Sequence, residues 1–300
     1  MADWIYFVLA AYAIWAVCSL IDKIVISKGY IKNPLVYIVL NGLMNVLIVF
    51  LFPFVEFELL SFTDILIVML IAGVLFVISV VLYYKAVEHD EISRIIMIYQ
   101  LSPVFTFIFS YIILGERLGK SQIIGFLFLL AAGLIVSYKK VGKSIKISKA
   151  FYYILASAFL GSVGAVSVKY IYNVTNFWNA FLWLRISGFT ALGVLAAASV
   201  RNEFVGTFKN MNPKIRYLLG FKMVIDFSAF AFIGYAIYKG PLSLVSALSG
   251  SVHPLFVFAL ALIATLYIPH LLKEEINKKS ILSKLLALAL IIIGIIFVNL

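Results

Sequence analysis

The chain has 300 residues, of which 64% are hydrophobic, against roughly 45–50% in a typical soluble domain. Only 12% of the residues are charged, too few to cover a soluble globule of this length, and the mean hydropathy is +1.12. The net charge of +11 comes mainly from Lys and Arg in short segments between apolar runs. This distribution is typical of the loops that flank membrane spans and argues against a nucleic-acid-binding protein. The single cysteine, Cys18, excludes an internal disulfide and a thiolate metal cluster.

Ten apolar intervals follow one another along the chain, and each is long enough to cross a bilayer core, which takes about 20 residues. The predicted spans, numbered 1 to 10 in chain order, are Trp4–Ile26, Pro34–Val55, Ile65–Tyr84, Ile95–Leu114, Gln122–Tyr138, Ala150–Tyr172, Phe177–Val200, Ile215–Tyr238, Leu242–Tyr267 and Ile281–Asn299. The sequence therefore predicts an all-α polytopic membrane protein with ten transmembrane helices.

Residues 83–138 and 235–298 carry the same series of features in the same order. An Ile-Ser or Leu-Ser pair is followed by a polar residue and proline, an apolar run, an acidic hairpin and a helix with a glycine. The paired features are Ile92-Ser93 and Leu242-Ser243, Ser102-Pro103 and His253-Pro254, Glu116 and Glu274-Glu275, and Gly133 and Gly294. Because a copied unit of five spans enters the membrane from the opposite side, we expect two inverted five-helix repeats. These are residues 1–140 and 150–300, joined by a basic connector at 141–149.

The loops after odd-numbered spans carry most of the lysines and arginines, whereas the loop after span 2 is acidic. The positive-inside rule then places both termini outside the cell.

The segment from Leu101 to Ser137, LSPVFTFIFSYIILGERLGKSQIIGFLFLLAAGLIVS, resembles the repeat ending of the EamA-type branch of the drug/metabolite transporter superfamily. That ending consists of Ser-Pro, an apolar helix, Gly-Glu-Arg-Leu and a Gly-rich last helix. Arg185, in the segment LWLR, resembles an arginine common in the second helix of such repeats, which the first half lacks. The resemblance implies a ten-helix secondary transporter, usually an exporter of amino acids or other small metabolites. It also implies cytoplasmic termini, opposite to the charge count.

Three charged residues lie in the middle of predicted spans: Arg185 in span 7, and Lys222 and Asp226 in span 8. A charge at mid-bilayer costs at least about 2.5–3.5 kcal/mol, so such residues face the protein interior and usually pair. Lys222 and Asp226 share a helix face, and Arg185 suits carboxylate recognition and is expected to reach Asp226. One interpretation is a substrate or coupling-ion site, with Asp226 pairing or carrying a proton, and the other is a structural ion pair. Asp22 and Lys23 are interpreted as mainly structural.

Five further residues are candidates for the transport pathway. Pro103 and Pro254 are expected to form matching kinks, because proline removes a backbone donor and frees a carbonyl that needs a cavity or a packed neighbour. His253 is a candidate for proton coupling, with a hydrogen-bonded packing role as the alternative. Gln100 and Asn41 either line the pathway or bond across helices.

The sequence carries no phosphate-binding glycine loop, metal-spaced His/Asp cluster or nucleophile elbow, so we predict no enzyme activity, cofactor or metal site. The predicted function is export of a small organic metabolite, such as an amino acid, by alternating access across the inner or plasma membrane. Its expected partners are the solute, a coupling proton and membrane lipid, and we expect a monomer or homodimer. The alternatives are a lipid or polyprenyl-phosphate flippase and a non-transporting membrane scaffold.

Overall fold

The computed structural model describes residues 2–27, 29–31, 33–90, 92–137, 149–267 and 278–300. The predicted basic connector lies outside the described residues except for Lys149, which begins a helix. The acidic hairpin of the second half, Glu274-Glu275, lies outside them as well.

Ten helical segments of the described chain are long and apolar enough to cross a membrane, which confirms the predicted number. They are Trp4–Ile26, Pro34–Phe54, Phe62–His89, Ile95–Leu114, Lys120–Ser137, Lys149–Val174, Phe177–Ala196, Pro213–Lys239, Leu242–Thr265 and Ile281–Asn299. The predicted end of span 7 at Val200 is wrong. The chain is extended at Ala197, and Val200 belongs to a separate connecting helix, Ala198–Asn210.

The helical elements differ in their hydrogen-bonding pattern. The α-helices are Trp4–Ser27, Pro34–Met44, Phe62–Leu66, Phe76–His89, Ile92–Tyr99, Ser102–Leu114, Lys120–Ser137, Lys149–Val174, Phe177–Ser187, Ala198–Asn210, Pro213–Lys239, Leu242–Tyr267 and Lys278–Asn299. Spans 2 and 7 continue as 3₁₀ helices, and span 3 contains π-helical turns. These segments are Asn45–Phe50 with Phe52–Phe54, Gly188–Ala196, and Ile67–Leu75.

The two ends of the described chain meet. The backbone nitrogen of Ala2 donates a hydrogen bond of 2.6 Å to Oδ1 of Asn299. Both ends therefore lie on the same side of the bundle, as an even number of spans requires. We call this face the termini side, and the opposite face, which the odd-numbered spans reach, the connector side.

The two halves interlock rather than stand apart. Span 1 packs against spans 8 and 9, and span 5 packs along span 10. Spans 5 and 10 approach closely at two glycines, since a Cβ on Gly125 would lie 2.8 Å from the carbonyl oxygen of Gly294. Small residues of this kind bring membrane helices into backbone contact. Large apolar side chains such as Tyr217 and Phe54 are 80% and 86% exposed, as expected of surfaces that face lipid.

The two prolines predicted to form matching kinks, Pro103 and Pro254, have different surroundings. Span 4 is broken at Gln100 and Leu101, and Pro103 stands in the first turn of the helix that follows, Ser102–Leu114. The first turn tolerates proline because its N–H groups have no partner within the helix. Pro254, in contrast, lies inside a continuous helix.

The acidic hairpin of the first half caps a helix of the second half. Glu116 accepts hydrogen bonds from the backbone nitrogens of Leu242 at 2.7 Å and Ser243 at 3.1 Å, and from the Ser243 hydroxyl. These are the free donors at the start of span 9, where a carboxylate also meets the positive end of the helix dipole. Nearby, the Lys169 ammonium donates to the carbonyl oxygens of Ile237 at 2.6 Å and Gly240 at 3.1 Å, at the end of span 8.

We expect Glu116→Ala to lower the free energy of unfolding by about 1–2 kcal/mol, because the N-terminal donors of span 9 lose their acceptor. Thermal unfolding in detergent would show this as a lower Tm. Glu56→Ala, at an exposed position on the termini side, serves as the control. A Glu116→Ala shift no larger than that of the control would contradict the capping role.

Candidate functional site

A cavity of about 320 Å³ lies between the two halves. Spans 1, 2 and 3 of the first half and spans 6, 7 and 8 of the second half line it. Its walls are mainly apolar, with polar groups at a few positions that include Asn41, Thr190 and Arg185. A concave, mainly apolar space with few polar groups is the usual form of a small-molecule site.

Three segments that depart from α-helical geometry meet at this cavity. Spans 2 and 7 each change to a 3₁₀ helix, at Asn45 and Gly188, after α-helices of 11 residues. A Cβ on Gly188 would lie 2.7 Å from Cγ of Asn45, so the two switch points are in direct contact. A Cβ on Gly73, in the π-helical part of span 3, would lie 2.9 Å from the carbonyl oxygen of Ser187. Irregular helical turns of this kind are frequent at functional hinges and are tolerated at membrane depth where they line a cavity.

Arg185 lines the cavity, but the expectation that it pairs with Asp226 is wrong. Its guanidinium carbon lies 4.2 Å from the centre of the Phe230 ring and 5.5 Å from that of Phe181, so its contacts are cation–π contacts. Its Nε atom is buried and has no hydrogen-bond partner among the described residues. Trp15 and Lys222, instead of Arg185, contact the oxygens of Asp226.

Asp22, Lys222 and Asp226 form what we call the charge cluster. Nζ of Lys222 lies 3.4 Å from Oδ1 of Asp22 and 3.5 Å from Oδ2 of Asp226. Oδ1 of Asp226 accepts a hydrogen bond of 2.6 Å from the indole nitrogen of Trp15. The exposed fractions of the Lys222 and Asp226 side chains are 9% and 10%, and that of Asp22 is 31%. With both carboxylates ionised, the cluster carries one excess negative charge.

Sequence reasoning missed Asp22, which was interpreted as a residue at a helix end. A signal was present, since Trp15, Ser19 and Asp22 are spaced by four and three residues. This spacing places all three on one face of span 1.

The cavity and the charge cluster are neighbouring but separate. None of the three residues of the charge cluster lines the cavity, whereas Trp15 does. Trp15 also donates to Asp226, so its indole ring stands between the two sites. Of the three charged residues predicted to share a cavity, the structure therefore places only Arg185 in it.

Residues 3–138 match the model of the EamA-like transporter family. This match places the protein in the drug/metabolite transporter superfamily. It is a multi-pass membrane transporter, because the EamA-like family consists of transporters and ten helices of the described chain are long and apolar enough to cross a membrane.

Comparison with solved structures shows the same fold over the whole chain. A crystal structure described only as that of a protein is 16% identical, with a TM-score of 0.66, and the match covers 100% of this chain and 98% of the other. No curated protein matches the sequence.

In this EamA-like transporter, His253 is packed beside the charge cluster rather than in the cavity. Its Nε2 lies 3.3 Å from the hydroxyl oxygen of Ser19, and its ring centre is 5.4 Å from that of Tyr12. Tyr12 in turn packs edge-on against Trp15 at 4.9 Å. His253 therefore contacts the face of span 1 that carries Trp15 and Asp22.

Gln100 and Asn41, both predicted pathway residues, have different surroundings. Gln100 is 8% exposed and donates hydrogen bonds to Oγ of Ser137 at 2.8 Å and to the carbonyl oxygen of Gly250 at 3.2 Å. It thus ties the break in span 4 to spans 5 and 9. Asn41 lines the cavity, and its carbonyl oxygen accepts from the side chain of Asn45 at 3.0 Å. Neither Pro103 nor Pro254 lines the cavity.

An aromatic layer covers the cavity towards the termini side. Tyr172 stacks on Phe177 with ring centres 5.6 Å apart and an angle of 9°, and Tyr238 lies 6.1 Å from Tyr172. Tyr172 lines both the central cavity and a surface pocket that includes Asn176 and Lys239. Its side chain therefore separates the interior cavity from the surface on that side.

Proposed function

We propose that this EamA-like protein is a secondary active transporter that exports a small organic metabolite across the inner or plasma membrane by alternating access. The observation that carries the proposal is the central cavity, which the first three spans of each half line together. A site shared by two related halves can open to either side when the halves tilt against each other.

The switch from α to 3₁₀ geometry in spans 2 and 7 supports such a movement. The two switch points, Asn45 and Gly188, follow α-helices of equal length and contact each other at the cavity. This correspondence supports inverted repeats at residues 1–140 and 150–300. We propose that the cavity opens alternately about these switch points, with the aromatic layer at Tyr172 closing the termini side in the conformation described.

We further propose that the charge cluster couples transport to protons. Two carboxylates share one ammonium, so protonation of one carboxylate neutralises the excess charge. Asp226 also holds Trp15, which lines the cavity. A change in the charge of Asp226 therefore acts on the cavity wall through this hydrogen bond.

Proteoliposomes loaded with a defined mixture of amino acids and small monocarboxylates test both parts of the proposal. We expect the wild-type protein to exchange at least one of these solutes and to accumulate it against its gradient when a pH gradient is imposed. Asp226→Asn should keep exchange and lose accumulation, because asparagine retains an acceptor for Trp15 but does not ionise. Mass spectrometry of the liposome contents would measure both activities.

The exposed Glu56→Gln variant serves as the control and should behave as wild type. Accumulation by Asp226→Asn at the wild-type level would contradict the coupling role. If no solute moves while a fluorescent phospholipid analogue changes leaflet, the protein is a flippase. If neither moves, the scaffold interpretation stands and the transport proposal is wrong.

A further inference from the structure

The arginine of the central cavity, whose Nε atom has no hydrogen-bond partner among the described residues, points to a class of ligand. We propose that the cavity binds a small organic monoanion with an apolar body, and that Arg185 is its charged contact. This inference rests on the cavity of the proposed function and narrows the metabolite class, since it favours an anion over the amino acid of the same skeleton.

Arg185 is poised for an acceptor that the described residues do not supply. A guanidinium carries five N–H donors and needs acceptors for them. The Nε donor of Arg185 is buried and has no acceptor among the described residues. The contact with the ring of Phe230, at 4.2 Å, stabilises the positive charge but provides no hydrogen-bond acceptor. Carboxylates and similar anions are the acceptors that match the planar geometry of a guanidinium.

The distribution of charge around the cavity also favours an anion. Arg185 is the one charged side chain among the described residues that line the cavity. The nearby carboxylate of Asp226 accepts from Trp15 and pairs with Lys222, and no ion pair joins it to Arg185 among the described residues. A buried charge without a contacting partner is costly, and an anionic ligand supplies that partner.

The remaining walls define the rest of the ligand. Apolar side chains such as Ile38, Phe76, Val80 and Ile233 line the cavity, so they suit an apolar body. No carboxylate lines the cavity in the described part of the chain. The ammonium group of an amino acid would therefore lose water without gaining a counter-ion, which is unfavourable.

Four molecules with one carbon skeleton test this inference on the full-length protein in detergent at neutral pH. They are 4-methylpentanoate, leucine, 4-methylpentanamide and 4-methylpentylamine, which are respectively an anion, a zwitterion, a neutral amide and a cation. We expect isothermal titration calorimetry to show the tightest binding for 4-methylpentanoate. Arg185→Gln should weaken that binding by at least about tenfold, the loss expected for a charge-assisted hydrogen bond. The affinity of Arg185→Lys for 4-methylpentanoate should lie between those of the wild type and Arg185→Gln.

Arg201→Gln, an exposed arginine in the connecting helix, is the matched control and should bind as wild type. The comparison of the four molecules needs only the wild-type protein, so it holds even if Arg185→Gln does not fold. Leucine or the amine binding as tightly as 4-methylpentanoate, or no binding by any of the four, would overturn the inference. Undiminished binding by Arg185→Gln would do the same.

The two proposals fail in different experiments. Transport of zwitterions alone in proteoliposomes would leave the transporter proposal standing and overturn the anion site. Binding of 4-methylpentanoate without movement of any solute would leave the anion site standing and overturn the transporter proposal.

Discussion

Replacement of Lys222 by methionine is expected to lower the free energy of unfolding by about 3–5 kcal/mol, the cost of removing one partner from a buried ionic group. Lys222 is the ammonium between Asp22 and Asp226, at 3.4 Å and 3.5 Å. Methionine fills much of the volume of the lysine stem, so the change mainly removes the charge. Two carboxylates would then face each other within the bundle without a cation. Thermal unfolding and the yield of monodisperse protein in detergent would measure the loss.

A matched control and a rescue make this prediction specific. Lys214→Met removes an exposed lysine from the first turn of the same helix and should have little effect. Removal of both carboxylates together with the lysine, in Asp22→Asn/Lys222→Met/Asp226→Asn, should restore most of the lost stability because no buried charge is left unpaired. If Lys222→Met is as stable as Lys214→Met, the charge cluster does not contribute to the folded state.

Gly188→Ala is expected to destabilise the protein by about 1–3 kcal/mol and to reduce transport, because the added methyl group overpacks the contact between spans 2 and 7. A Cβ at this position would lie 2.7 Å from both Cγ and Oδ1 of Asn45. Asn45 has little freedom to move away, since it is 2% exposed and its side-chain amide donates to the carbonyl oxygens of Asn41 and Gly42. The Tm in detergent and the exchange rate in proteoliposomes would measure the two effects.

Gly193 provides the control within the same 3₁₀ segment, because a Cβ there would meet nothing within 4 Å. Gly193→Ala should be neutral or slightly stabilising, as expected where alanine replaces glycine in an open helical position. Shortening the facing side chain in Gly188→Ala/Asn45→Ala should recover part of the loss, which a double-mutant cycle would quantify. Equal behaviour of the two single glycine variants would contradict a tight contact at Gly188.

The membrane architecture was predictable because its signal is local. Each span is a run of apolar residues whose length is set by the bilayer, so the run can be recognised without knowledge of its neighbours. The pairing of Lys222 with Asp226 was equally accessible, since four residues along a helix bring two side chains to one face. The end of span 7 was missed because the residues after Ala196 continue the apolar run, although the helix ends there and the backbone is extended at Ala197.

The partners of the buried charges were not predictable in the same way. The bond from Trp15 to Asp226 joins residues 211 positions apart, and it depends on how span 1 packs against span 8. That packing places Trp15 and Lys222 on the oxygens of Asp226 and leaves Arg185 against Phe230. The hairpin residue Glu116 likewise accepts a hydrogen bond from the other half of the chain, from the backbone nitrogen of Leu242.

Hydropathy and helical spacing were therefore enough to predict the membrane location, the number of spans and the residues whose charge is costly in a membrane. The division of those charges between the charge cluster and the cavity depended on helix packing. A charge in a span must find a partner or a polar space, but hydropathy does not distinguish between these outcomes. The choice depends on which helix faces meet, and here it left Arg185 in the cavity with an Nε donor that no described residue accepts.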